Sequence, residues 1–129
     1  MVQRFIELGE GYSDLYELLE IIRSNKHRII SFLDLSTVHN NKKVTTAGVI
    51  MSPTDPGNFQ AIYICREGII DPSEKDTQRY RLFRDAAEES GKPVYQFAVK
   101  SSSVFHEPIL YYQYLTGILR LNHILPPLI

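Results

Sequence analysis

The sequence has little cysteine and no long apolar run, and each scarcity excludes a class of protein. The single cysteine, Cys65, cannot form an internal disulfide or a cysteine-rich zinc site, and its place in an apolar run favours a small buried hydrophobe. The most apolar segment, residues 109–125, is interrupted by polar and charged residues, so it is too broken for a membrane span of about 20 apolar residues. The N-terminus lacks the apolar region of a secretory signal. We therefore expect a cytoplasmic protein with no membrane partner.

Neither sign of charge is in excess, because 14 Lys and Arg residues face 15 Asp and Glu residues. Nucleic-acid-binding proteins usually carry a basic excess or a basic stripe, so we do not expect nucleic acid as a partner. A chain of 129 residues with 43% hydrophobic residues has the usual size and composition of one domain with its own core. We expect a single domain over residues 1–129 that folds without a cofactor.

Hydrophobic periodicity predicts a first helix near the N-terminus. Ser13 or Asp14 can cap it, and Glu17 completes a capping-box pattern with Asp14. A buried stripe follows at helical spacing, formed by Leu15, Leu18, Leu19 and Ile22. We expect this helix to end near Asn25, and residues 2–7 can add a short edge strand before it.

The middle of the chain predicts strands. Residues 28–38, 44–51 and 59–66 are rich in β-branched and aromatic residues, and the connections between them are too short for a helix. They should form an antiparallel meander. A second helix is expected from Pro72 to about Ser90, followed by a strand over residues 94–99 and a third helix over 107–121.

Passing from the third strand through a helix to the fourth requires a crossover, and therefore a parallel pairing somewhere in the sheet. The predicted fold is α+β with a mixed sheet. Its order is α-β-β-β-α-β-α, with the N-terminal edge strand in addition.

Four acids are candidates for catalytic or metal-binding roles, because carboxylates act as metal ligands and as general acids and bases. Glu10 and Asp14 belong to an acidic N-terminal cluster, Asp55 lies in the loop PTDPG, and Glu67 follows the third strand. Each has a structural interpretation, which we favour. Acids are common at helix N-termini, and Asp is a routine turn residue.

Other signals of chemistry are weak. The four histidines are scattered, and none pairs at a metal-ligand spacing such as i, i+4. The glycines around Glu10 lack the full fingerprint of a phosphate-binding loop. We expect no metal site and no cofactor site.

The last helix and the tail carry more apolar and aromatic residues than one core-facing stripe needs. Such surfaces often mark interfaces, so we expect a homodimer. The interface candidates are Tyr111, Tyr112, Tyr114, Leu125 and Leu128. The alternative is that the tail covers its own domain.

The chain resembles an uncharacterised family of small Gram-positive bacterial proteins. The resemblance rests on residues 4–14 (RFIELGEGYSD), 53–57 (PTDPG), 64–68 (ICREG) and 121–127 (LNHILPP). Some members carry a methylthioribose kinase label. A small-molecule kinase needs a phosphate-cradling loop, metal-binding carboxylates and a catalytic base, and this chain has no motif for any of them.

The predicted element order is also similar to the core of restriction-endonuclease-like nucleases. That resemblance implies an acid near the end of the second strand, where Asp55 stands, and an acid-x-Lys motif on the third strand. Residues 59–66 (FQAIYICR) contain neither an acid nor a lysine. Similar topology alone does not establish a shared function.

Two functions remain open on sequence grounds. We favour a non-enzymatic interaction or regulatory domain that forms a homodimer. The alternative is a divalent-metal-dependent phosphoesterase or nuclease-like enzyme that uses Asp55, Glu67 and an N-terminal acid as ligands. Convergence of these acids in one pocket would favour the enzyme. The sequence does not identify a small-molecule ligand.

Overall fold

The computed structural model describes residues 3–8, 12–55 and 58–126. In chain order the elements are β1 (Gln3–Glu7), α1 (Tyr12–Ser24), β2 (Ile29–His39), β3 (Lys42–Met51), β4 (Gln60–Ile70), α2 (Gln78–Ser90), β5 (Val94–Ala98) and α3 (Pro108–Leu121). Single-turn 3-10 helices at Lys26–Arg28 and Ser102–Val104 precede β2 and α3. The α+β class is confirmed, and β1 is the short edge strand expected before the first helix.

The five strands form one mixed sheet in the order β1-β4-β3-β2-β5. Strands β2, β3 and β4 form the expected antiparallel meander. Strand β5 pairs in parallel with β2, and β1 pairs in parallel with β4. The strand after the helical crossover therefore lies beside the first strand of the meander, and each edge of the sheet is a short parallel strand.

The β2–β3 turn consists of two asparagines in the left-handed backbone region. Asn40 has φ 52° and Asn41 has φ 64°. Two successive positive φ values are typical of a type I′ hairpin turn, whose twist matches that of the flanking strands. Asparagine tolerates this region better than other non-glycine residues, so the local sequence fixes the register in which His39 faces Lys42.

Helix α2 begins later than the sequence pattern predicts. The Asp71 side chain accepts a hydrogen bond from the backbone N–H of Ser73 at 3.0 Å, and the Asp71 carbonyl accepts one from Glu74 at 2.9 Å. These bonds close a turn where we expected helix. The helix starts only after Thr77, whose hydroxyl accepts from the backbone N–H of Tyr80 at 3.3 Å. It ends at Gly91, with φ 71°, as predicted.

The sheet separates two apolar clusters. Helices α1 and α2 cover one face, where Cys65 is buried as expected. Helix α3 covers the other face together with Leu125, which packs back onto the sheet. A single helix is too narrow to cover five strands, because its diameter with side chains is about 10–12 Å and strands lie about 4.8 Å apart. The consequence is a groove beside α3. No helix in the described ranges is long and apolar enough to cross a membrane.

Candidate functional site

Helix α3 presents three different faces, because successive residues are about 100° apart around a helix. The core face is formed by Tyr111, Leu115 and Leu119, which are at most 1% exposed. A second face lines a groove, and its residues lie at the helical spacing i, i+3, i+4, i+7, i+8 and i+11. They are Ile109, Tyr112, Gln113, Thr116, Gly117 and Arg120. A third face points to solvent through Leu110 and Leu121. The apolar and aromatic residues of α3 are therefore divided between the core, the groove and the solvent-exposed surface.

The groove lies between α3 and β1 and has a volume of about 610 Å³. Its second wall consists of three consecutive β1 residues, Gln3, Arg4 and Phe5. At one end, Arg120 Nη2 donates to Gln3 Oε1 at 2.7 Å. Further along, the Phe5 ring stacks on Tyr112 with the ring centroids 4.9 Å apart. These contacts show that β1 and α3 run antiparallel along the groove.

Two arginines line the groove, and neither has an acidic partner within the described part of the chain, but only the Arg120 side chain lies on the α3 side of the sheet. Arg4 lies over the Phe59 ring, with its Cζ 4.6 Å from the ring centroid. Arg120 contacts the neutral Gln3 amide, and its Nε is buried with no acceptor among the same residues. A guanidinium pairs with carboxylate or phosphate through two parallel hydrogen bonds. This end of the groove is suited to an anion.

A charge pair lies at the other end of β1, beyond Phe5. Arg66 Nε lies 2.7 Å from Glu7 Oε1. The Tyr112 hydroxyl is buried, and burial followed by the nearby Glu7 carboxylate raises the pKa of this phenol. Glu7 is therefore balanced by Arg66, whereas Arg120 at the Gln3 end has no acidic partner among the described residues.

Glu67 is held in a strained, buried position next to the N-terminal end of α3. Its φ is 53°, unusual for a residue with a side chain, and its side chain is 1% exposed. The carboxylate accepts hydrogen bonds from the hydroxyls of Ser101 (3.0 Å) and Ser102. His39 Nδ1 lies 3.3 Å from the same carboxylate. These contacts hold the Ser102–Val104 turn against the sheet.

The grouping of Ser101, His39 and Glu67 differs from a nucleophilic triad. In a triad one imidazole nitrogen contacts the serine and the other contacts the carboxylate. Here His39 Nδ1 contacts both, at 2.8 Å from Ser101 Oγ and 3.3 Å from Glu67. Ser101 donates directly to the carboxylate and is 6% exposed. The geometry is that of a structural hydrogen-bond network.

A second buried carboxylate, Asp34, lies on the opposite face of the sheet. Its Oδ2 accepts from the Tyr80 hydroxyl at 2.6 Å and from the Gln96 amide at 3.1 Å, and Arg84 Nη1 lies at 3.3 Å. Burial, and then the hydrogen bond to Asp34, raises the pKa of Tyr80 to about 12. The network ties α2 and β5 to β2.

A cavity of about 350 Å³ adjoins this network and also contains Asp71. Burial by itself would raise the pKa of Asp71, but hydrogen bonds from Ser73 and Thr45, with Lys43 nearby, lower it below the ordinary value. Asp71 is therefore ionised at neutral pH. Both carboxylates of this cavity already accept hydrogen bonds from neighbouring side chains or backbone.

A family model described as a domain of unknown function, DUF7147, matches residues 1–125. The chain belongs to this family. It matches no curated protein and no solved structure. The restriction-endonuclease-like alternative gains no support from these comparisons, and the function of this DUF7147 chain has to be inferred from its geometry.

The candidate catalytic acids of the DUF7147 chain are not brought together. Asp55 is exposed in the loop before β4, whereas Glu67 lies near the far end of that strand. The seven residue-to-residue steps from Gln60 to Glu67 span roughly 23 Å at about 3.3 Å per residue. Glu10 and the side chain of Asp14 lie outside the described residues. Within the described ranges, no group of three His, Cys, Asp or Glu residues could hold a metal ion.

The interface candidates divide between core and surface. Tyr111 and Leu125 are 0% and 2% exposed, inside the domain. Tyr112 and Tyr114 are partly buried, and Tyr114 packs on Phe105 with the ring centroids 5.3 Å apart. Leu128 lies outside the described residues. Much of the aromatic surface predicted on α3 therefore packs within the domain.

Sequence reasoning missed Asp34 and the two groove arginines. Asp34 carries a usable signal, since it interrupts an apolar strand segment (residues 32–35, FLDL), and a buried acid there must find donors. Arg4 and Arg120 carry no such signal, because isolated arginines near the two ends of a chain are ordinary surface residues. Only the fold places both of them along the groove.

Proposed function

We propose that this chain is a non-enzymatic binding domain whose groove between β1 and α3 holds a ligand with an anionic group and an apolar body. The observation that carries the proposal is Arg120, whose guanidinium lines the groove, contacts only the neutral Gln3 amide and has a buried Nε with no acceptor among the described residues. A ligand carboxylate or phosphate would supply the missing charge.

The walls of the groove support the apolar half of the proposal. Phe5, Tyr112 and Ile109 provide apolar surface, and Gly117 contributes none, so space is left above the helix backbone. The volume of about 610 Å³ is within the range of ligand sites, which combine apolar walls with a few converging polar groups. A small amphiphilic anion matches both features.

The metal-dependent enzyme is the weaker proposal. Two-metal and one-metal phosphoesterases need carboxylates close enough to share an ion. Asp55 and Glu67 are separated by most of the length of β4, and Glu67 is occupied by serine hydroxyls. A binding role does not require these acids to meet.

The proposal also covers the location, the assembly state and the source of the protein. We propose a cytoplasmic homodimer from a Gram-positive bacterium that does not bind nucleic acid. A balanced charge supports the last point. The exposed face of α3, with Leu121 80% exposed and Leu110 41% exposed, supports a partner copy. A kinase activity is not proposed.

The test is a titration of the labelled protein with decanoate, followed by backbone NMR shifts. Decanoate combines a carboxylate with an apolar chain, and decanol has the same chain without the charge. We expect decanoate to shift resonances of β1 and of the groove face of α3, and to bind at least tenfold more tightly than decanol. Equal binding of both probes, or shifts confined to other surfaces, would contradict the proposal.

Arg120→Gln should weaken decanoate binding about tenfold, because the glutamine keeps a polar contact but removes the charge. Arg81→Gln is the matched control. Arg81 pairs with Asp76 at 2.9 Å on the exposed side of α2, away from the groove. The control should bind decanoate as the wild-type protein does.

A further inference from the structure

We infer that the natural occupant of the β1–α3 groove is an extended acidic peptide segment that adds as a further strand to the outer edge of β1. The inference rests on the proposed function, since it names the class of ligand for the same groove. It is supported by the strand edge, by the length of the groove and by the position of Arg120.

The first support is the edge itself. Strand β1 is the last strand on its side of the sheet, and no described segment pairs with its outer edge. An unpaired edge exposes backbone N–H and C=O groups that can template another strand. Proteins usually protect such edges with Pro, Lys or a bulge. The sequence of β1, QRFIE, is short and carries two charges, which oppose non-specific strand pairing, but it has no Pro, and its pairing with β4 runs without a register shift.

The second support is length. The groove face of α3 extends from Ile109 to Arg120, which corresponds to roughly 16 Å of helix at 1.5 Å per residue. The five residues of β1 span a similar distance, roughly 16 Å, in extended conformation. A strand laid along β1 would therefore contact α3 over its whole length. Gly117 lines this path and adds no side chain to it.

The third support is direction and charge. Because β1 and α3 are antiparallel, Arg4 and Arg120 both lie at the Gln3 end of the groove. A peptide that pairs antiparallel to β1 ends there with its C-terminal residues. An acidic side chain or a terminal carboxylate at that position would meet the Arg120 guanidinium, which has no acidic partner in the described ranges.

The test is hydrogen exchange on the full chain, with synthetic peptides of alternating Thr and Val that match β1 in length. One peptide ends in Glu and the other ends in Lys. The Glu peptide should slow the exchange of β1 amide protons and bind about tenfold more tightly than the Lys peptide. Arg120→Gln should remove most of this preference while the slowed exchange at β1 persists at higher peptide concentration.

Gly117→Leu should block the peptide, because its side chain would fill the groove, and Gly117→Ala should bind nearly as the wild-type protein does. Both variants replace a helical glycine, so neither is expected to lower the melting temperature. A loss of binding in the leucine variant alone supports the inference.

Three outcomes would overturn it. If decanoate binds in an Arg120-dependent manner but no peptide protects β1, the groove takes small molecules, and only the peptide inference fails. If neither probe binds, the proposed function fails as well. If β1 becomes protected at high protein concentration without any peptide, the occupant is a second copy of this chain.

Discussion

At the scale of single residues, two buried carboxylates organise the interior on opposite faces of the sheet. Asp34 accepts from donors on α2 and β5, and Glu67 accepts from the turn that leads into α3. A buried carboxylate is costly unless donors surround it, so each acid favours the one arrangement in which its donors converge. Asp34 and Glu67 therefore specify where α2, β5 and α3 sit against the meander.

The Asp34 network gives a prediction for Tyr80→Phe. The substitution removes a hydroxyl that donates to a carboxylate 5% exposed, at 2.6 Å. Hydrogen bonds to charged groups contribute about 1.5–3 kcal/mol, so we expect the free energy of unfolding in urea to fall by that amount. Tyr95→Phe, on the exposed strand β5, should change it by less than about 0.5 kcal/mol. Unchanged stability in Tyr80→Phe would mean that the contacts from Gln96 and Arg84 are enough to stabilise the buried Asp34 carboxylate.

Alkaline pH provides a second readout of the same contact. The pKa of Tyr80 is raised to about 12 in the folded protein, above an unfolded value near 10. A proton held more tightly in the folded state stabilises it below pH about 10, and this stabilisation disappears as the pH rises toward 12. The wild-type protein should therefore lose stability over this range more steeply than Tyr80→Phe does. If both proteins lost stability equally steeply, the raised pKa of Tyr80 would not be the cause of the wild-type pH dependence.

At the scale of elements, α3 shows how one helix can serve core, groove and solvent. Its core face alone would hold it on the sheet, because Tyr111, Leu115 and Leu119 are buried against the central strands. The groove face is less apolar and contains a glycine at its centre. A glycine lowers helix stability, so its presence within α3 is consistent with a need for space above the backbone.

Alanine substitutions at two glycines should change the free energy of unfolding in opposite directions. Gly117 lies within α3, whereas Gly91 ends α2 at φ 71°. A Cβ at either position would meet no heavy atom within 4 Å, so only backbone conformation distinguishes them. Gly117→Ala should stabilise the fold by about 1 kcal/mol, and Gly91→Ala should destabilise it by about 1 kcal/mol. Thermal melts of both variants measure this, and a destabilised Gly117→Ala would show that the groove face packs more tightly than described.

At the scale of the whole molecule, the sheet is covered by two helices on one face and by one on the other. The uneven cover leaves the groove along β1 and leaves Leu110 and Leu121 on the outer side of α3. These exposed leucines, rather than the buried Tyr111 and Leu125, are the surface through which we propose that two copies associate.

Light scattering should give about twice the chain mass of 14.9 kDa. Leu121→Glu should shift the mass toward one chain without lowering the melting temperature, because Leu121 is 80% exposed and contributes little to the core. Gln113→Glu, which also adds an acid to an exposed position of α3 but on its groove face, serves as the control. A single-chain mass for the wild-type protein at high concentration would contradict the homodimer.

The sequence was sufficient for most of the fold. Apolar spacing predicted α3 to within a residue, and the β-branched and aromatic runs predicted the three strands of the meander, because both depend on contacts between near neighbours. The start of α2 was wrong by several residues, since Asp71 forms a side-chain turn that competes with helix. Of the candidate site, the sequence supplied the aromatic and apolar positions of α3 but not the cations.

What the sequence determined by itself is local: the kinds of elements, their approximate limits, the α+β class and the burial of Cys65. What only the tertiary structure decided is non-local. It placed β5 beside β2 and β1 beside β4, and it brought Gln3 to Arg120 across nearly the whole chain. Local order follows from propensities and periodicities within a few residues. A groove, by contrast, exists only where distant segments fail to cover one another, which depends on the packing of the entire sheet.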